Sequence, residues 1–224
     1  MHDDAVRDVL AQLTHRTTAL VDALAARHDD LDAATRLPDW SRATIACHLR
    51  YGAAALARMV DDTLAGRPTA YYPEGRDAQR PGTLVPAPGE DVVTSLAEES
   101  ARLDAAFARV ADWSTPVDEP EGVFPTLTSM AILRLTEVEV HGTDLDIGLD
   151  DWSDVLVAHA LPLRLERLRA RTPQAPGAWT IGGTRVGDAS EPIEIDGDDR
   201  HLLAVLLGRA DADAGAFGRA FPGP

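Results

Sequence analysis

Lysine is missing from this chain: every basic residue is an arginine. Basic residues are scarce altogether, 21 against 37 acidic ones, which leaves a formal charge of −16. A field of that sign repels phosphate backbones and anionic lipid, so nucleic-acid and membrane-surface roles are set aside first. Cysteine occurs once, at Cys47, which rules out an internal disulfide framework and makes the cytoplasm the expected compartment. No apolar run approaches the roughly 18 to 20 residues of a membrane-spanning helix. The opening MHDDAVRDVL carries no secretory-signal pattern. What is present, 224 residues of which 45% are hydrophobic, is an ordinary soluble composition long enough to bury a core.

The first two-thirds read as long helices separated by Pro/Gly-rich breaks. Val6, Leu10, Leu13, Thr17, Leu20 and Leu24 recur at helical spacing through residues 3 to 28. Pro38 interrupts, and Asp39 or Ser41 offers an N-cap for a second helix from 41 to 65, ended near Gly66 and Pro68. The connection Arg67 to Gly89 is too long for a simple turn and is expected to be a functional loop or crossover. A third helix is predicted over 90 to 112 and a fourth over 126 to 147, stopped by Gly148. Four helices with one long connection make a four-helix bundle with a crossover. After residue 150 the character changes: a Leu- and Arg-rich helix at 152–171, short alternating runs broken by Gly, and a last helix capped by Asp198 or Asp199. The expected organisation is therefore mainly α, a bundle over 1–150 followed by a small α+β domain over 151–224.

The chemistry concentrates on the fourth helix. Its apolar residues spread around nearly the whole circumference, the mark of a buried helix. One stripe breaks the pattern: Met130, Arg134, Glu137, His141 and Asp144 stack on a single face. Ionisable groups on a buried face are costly unless they pair, hydrogen-bond or bind a metal. Glu137 and His141, at i and i+4, are spaced to chelate one cation. On the second helix His48 shares a stripe with Ile45, Gly52, Ala55 and Met59, whose small members leave room beside the imidazole. Two His and one Glu from facing helices would give a three-ligand zinc site with an open fourth position, the arrangement of catalytic sites. Asp144 and Arg134 would then act behind the ligands or on the substrate. Spacing alone equally allows a satisfied core histidine and a surface Glu–His pair. Cys47 points about 100° away from its neighbour His48 and reads as a small buried hydrophobe. The acidic run Asp144-x-Asp146-x-Gly148-x-Asp150 has its glycine misplaced for a calcium loop and lacks the closing Glu. IGGTRVG lacks dinucleotide-loop spacing.

LPDWSRATIACHLRYGA resembles the Leu-Pro-x-Trp-(Ser/Thr)…His-Leu signature of the mycothiol-dependent maleylpyruvate isomerase family. RLTEVEVHGTDLD is similar to that family's second signature, Arg-x-x-Glu-x-x-x-His-x-x-Asp-Leu. The resemblance implies a DinB-like four-helix bundle with a long crossover loop, carrying a divalent metal such as Zn²⁺, followed by a small C-terminal domain. By direct match it makes His48, Glu137 and His141 the metal ligands. HLLAVLLGRA looks like the family's C-terminal Leu-x-Gly-Arg segment, which implies that Arg209, with Asp144 and Arg134, serves catalysis. GRDAQRPGTL is similar to a stretch where the family has an Arg, here Arg80, which with Asp144 would hold the thiol cofactor. Here Pro81-Gly82 follow where the family continues into a helix.

The implied chemistry uses mycothiol. Its thiolate adds to the cis double bond of maleylpyruvate, the new single bond rotates, and expulsion of the thiol leaves fumarylpyruvate. Two alternatives share the fold: a mycothiol S-transferase that stops at addition to an electrophile, and a DinB-fold metal-binding protein without turnover. The expected partners are a small electrophilic or carboxylate substrate and a low-molecular-weight thiol, with no nucleic acid or membrane, in a monomer or homodimer.

Overall fold

The computed structural model describes residues 3–171, 178–187 and 193–210. The chain divides into two compact units, Met1–Ser153 and Asp154–Pro224. No helix among the described residues is long and apolar enough to cross a membrane.

The first unit opens with α1 (Asp3–Ala25). Val6, Leu13, Leu20 and Leu24 are buried, as their spacing predicts; Val9 joins them, while Leu10 and Thr17 are only half-buried. A tight turn precedes α2 (Arg42–Leu64): the Trp40 amide donates to Leu37 O across Pro38 and Asp39. Asp39 adopts φ +65°, as the third residue of a type II turn requires. Ser41 is the N-cap, its hydroxyl accepting from the Thr44 amide at 3.2 Å. The turn and cap together set Trp40 at the head of α2.

The crossover differs from the expected loop. It contains a two-turn helix, α3 (Arg76–Thr83), entered through Gly75 at φ +92°. Pro81 and Gly82, read as breakers, lie inside it. Proline removes one amide donor near the helix end, and the Thr83 hydroxyl caps a later carbonyl, donating to Arg80 O at 2.8 Å.

Next come α4 (Val92–Phe107), capped by Asp91, and α5 (Leu127–Asp144), which opens with a reciprocal capping box between Thr126 and Ser129. Both end a turn earlier than their apolar patterns suggest; Val110 falls in the turn after α4. The bundle ring runs α1–α4–α2–α5, with α2 laid closely along α4 and α1 along α5. Each interior leucine contributes about 1.5–3 kcal/mol by leaving water. In α2, the alanines at 46, 53, 55 and 57 are buried, so its neighbours approach closely.

The second unit holds α6 (Asp154–Arg171), strands β1 (Ala178–Ile181), β2 (Thr184–Gly187) and β3 (Ile193–Ile195), and α7 (Asp199–Leu206). The sheet order is β2-β1-β3, antiparallel in the first pair and parallel in the second. The IGGTRVG run is a hairpin: Ile181 pairs with Thr184 across Gly182 and Gly183, both at positive φ, as a two-residue type I′ loop demands. Of the two candidate caps of the last helix, Asp198 performs the role, accepting from the His201 amide at 2.8 Å.

Candidate functional site

Helix α5 is buried on almost every face, as its composition implied. Glu137 and His141 keep an opening, their side chains 31% and 14% exposed. Across from them, α2 presents His48. The two imidazoles meet edge to face with ring centroids 4.9 Å apart. His48 Nε2 stands 3.7 Å from Glu137 Oε1. The structure thus brings together the three side chains singled out as metal ligands. Among the described residues, no group of three or more His, Cys, Asp or Glu side chains is placed so that it could hold a metal ion as it stands.

Asp144, one turn beyond His141, lies 2.9 Å from its Nδ1. An Nδ1–H donated to this carboxylate leaves the lone pair on Nε2 and fixes the ring plane. Burial pushes the His48 imidazole down to about 4, so it is neutral at physiological pH and its ring nitrogen is free of a competing proton. Trp40 braces both rings, parallel to His141 at 6.1 Å and edge-on to His48 at 5.6 Å.

Arg134 is 1% exposed and lies beneath the site, with Nη1 3.8 Å from Glu137 Oε2. Its charge acts on Glu137 and also on His48 and Tyr71. Arg80, brought in by α3, sets its guanidinium 5.8 Å from the centre of the Trp40 ring, a cation–π arrangement. Its charge also acts on His48 and on Tyr72. No carboxylate among the described residues forms an ion pair with Arg80, which is notable in so acidic a chain. Arg209 belongs to the second unit, where its Nη1 donates to Leu207 O at 2.7 Å.

The remaining candidates resolve as structure. Cys47 is fully buried, and burial pushes its thiol up to about 11. Asp146 and Asp150 are clamped by Arg36 at 2.8 and 2.7 Å, so the acidic run after α5 is a surface ion-pair cluster.

Three contributors were not singled out in the sequence. Tyr71 and Tyr72 arrive on the crossover and form an aromatic group with Tyr51. Only their place in an overlong connection signalled them. Glu139, on the opposite side of α5, is buried and accepts from Ser153 through both amide and hydroxyl at 2.6 Å. An acidic residue amid valines was its signal.

The family described as mycothiol maleylpyruvate isomerase N-terminal domain matches residues 10–146, the span that carries His48, Arg80, Arg134, Glu137, His141 and Asp144. The chain belongs to this family. Two solved structures share the architecture: a mycothiol-dependent maleylpyruvate isomerase and a histidine-to-alanine mutant of such an isomerase. Each is 18% identical, with TM-score 0.75 over 92% of this chain and 90% of the other. At that identity they establish a common fold, the second unit included. No curated protein sequence matches this chain.

Proposed function

We propose that this member of the family is a mycothiol-dependent cis–trans isomerase of maleylpyruvate-type substrates, and that His48, Glu137 and His141 hold a divalent cation, with zinc the first choice. The observation that carries this reading is the meeting of two imidazoles and one carboxylate from facing helices, beside an opening and within a family named for that reaction. The donor set suits the ion. Two donors on a tetrahedral zinc at about 2.1 Å stand about 3.4 Å apart. His48 Nε2 and Glu137 Oε1, at 3.7 Å, come within a small side-chain adjustment of that.

Bound there, the cation would lower the pKa of a coordinated thiol so that thiolate predominates near neutrality. The chain's own residues do the rest. Asp144 keeps Nε2 of His141 turned to the opening. Trp40 walls the imidazoles against water. Arg80 receives a substrate carboxylate with its planar fork and offsets the protein's acidic field locally. The buried, protonated Cys47 cannot provide the reacting sulfur, so the thiol comes from outside.

The test combines metal analysis with turnover. Purified protein reconstituted with zinc is expected to bind one ion per chain and to isomerise maleylpyruvate only with added mycothiol, whose concentration stays constant. His48→Ala should lose both metal and turnover while keeping its helical circular dichroism. Stoichiometric consumption of mycothiol with an electrophile would replace this reading by an S-transferase. Failure to take up metal, or turnover without thiol, would overturn it.

A further inference from the structure

Beneath the opening, three polar side chains, two from α5 and one from the crossover, converge on one glycine of α2. Arg134 Nη1 and Nη2, Glu137 Oε2 and Tyr71 Oη are all buried, and none has a hydrogen-bond partner among the described residues. A Cβ placed on Gly52 would lie 3.0 Å from Glu137 Oε2, 3.0 Å from Tyr71 Oη and 3.1 Å from Arg134 Nη1. The three tips therefore ring a single point above the α2 backbone. Gly52 sits in the middle of that helix without a positive φ, so no backbone requirement explains a residue that weakens helices. Space does. Any side chain would occupy the gap through which the three groups approach.

The two oxygens of Glu137 thereby face different surroundings. Oε1 looks toward His48 Nε2 at 3.7 Å, and Oε2 looks down toward Arg134 Nη1 at 3.8 Å. A guanidinium that is 1% exposed needs anionic company, and Glu137 is the nearer carboxylate; Asp104 acts on it as well. Building on the metal reading above, we propose that Arg134 and Tyr71, in the space left by Gly52, clamp Oε2 of Glu137 so that this carboxylate offers the cation one oxygen only. A carboxylate free to bind through both oxygens would take up a further coordination position. Held by one, it leaves that position for the thiol. Arg134 and Tyr71 are positioning residues in this scheme, acting through Glu137.

Zinc affinity, measured by competition with a chromophoric chelator, tests the clamp without reference to turnover. Tyr71→Phe keeps the ring stacked on Phe124 and removes only the hydroxyl. Its metal-free melting temperature should stay near wild type while zinc affinity falls about ten-fold, as for other groups that orient a metal ligand. Arg134→Lys should fall further, and Gly52→Ala should weaken zinc binding although alanine favours helix. Should Arg134→Lys fail to fold, Tyr71→Phe decides alone. Wild-type affinity in Tyr71→Phe overturns the clamp and leaves the metal site standing. A wild-type protein that takes up no zinc overturns both.

Discussion

Asp144 and His141 stand one helical turn apart, the carboxylate 2.9 Å from the imidazole Nδ1. Asp144 is 2% exposed, so this contact is shielded from water, and a carboxylate there favours the tautomer with its proton on Nδ1. Asp144→Asn keeps an acceptor but removes the negative charge that favours a proton on Nδ1 of His141. Zinc affinity is expected to drop about ten-fold, within the range found when such supporting groups are altered. Nitrogen-15 shifts of the His141 ring would show the preference for Nδ1–H weakening. An unchanged tautomer and affinity would remove Asp144 from the site.

How much of this was readable beforehand follows from the kind of signal each residue leaves. The polar stripe of α5 was legible because ionisable residues at 3–4 spacing on an apolar helix cannot be reconciled with burial unless they have partners. Asp144 was legible as a member of that stripe, though nothing in the spacing told support from substrate contact. The α3 helix was hidden by Pro81-Gly82, since breaker statistics describe helix interiors and Pro81 lies in the last turn. Gly52 was legible as a small residue leaving room beside His48, but the meeting of Gly52 and Tyr71 was hidden for another reason. Their convergence on Glu137 depends on where a long crossover folds back, which no local pattern encodes.

Arg80 stands beside the opening with its charge unmatched by a carboxylate among the described residues. Arg80→Ala should raise KM for a dicarboxylate substrate about ten- to a hundred-fold, the loss of one charge-assisted fork worth about 1.5–3 kcal/mol. Zinc content should not change, because in the proposed scheme Arg80 acts on substrate and not on the ligands. Arg80→Lys should recover part of the loss, since charge returns without the planar pair of donors. Equal KM across the three proteins would exclude the role.

Glu139 shows the opposite face of the same helix at work. Its carboxylate, 1% exposed, receives the amide and hydroxyl of Ser153 at 2.6 Å and the Gln12 amide at 3.3 Å, with Arg16 at 3.5 Å. This ties the segment after α5 back onto the bundle within the first unit. Glu139→Gln removes the charge and turns an amide NH2 toward groups that are themselves donors. The variant should unfold at lower urea, by about 2 kcal/mol, with zinc affinity unchanged. Thermal or urea unfolding followed by circular dichroism measures it. A neutral result would mean the carboxylate is replaceable by any acceptor.

Glu90 gives the fold a specific dependence on pH. Its Oε1 pairs with Arg50 Nη1, and its Oε2 accepts the Ala87 amide at 2.8 Å, at the entry to α4. The hydrogen bond from Arg50 is the main cause that holds the Glu90 carboxyl down at about 2, against an ordinary 4.5. Between those values the unfolded chain carries a proton at this position and the folded chain does not, so acid favours unfolding. The stabilisation is complete above about pH 4.5 and declines as pH falls toward 2. Its size is about 1–2 kcal/mol once solvent screening is allowed for. Glu90→Gln should therefore be less stable than wild type by that amount at pH 7, with the gap narrowing at pH 3 and closing near pH 2. Urea titrations of both proteins at the three pH values read it directly. A gap that stays constant from pH 7 to 3 would assign the loss to packing around the side chain and not to its charge.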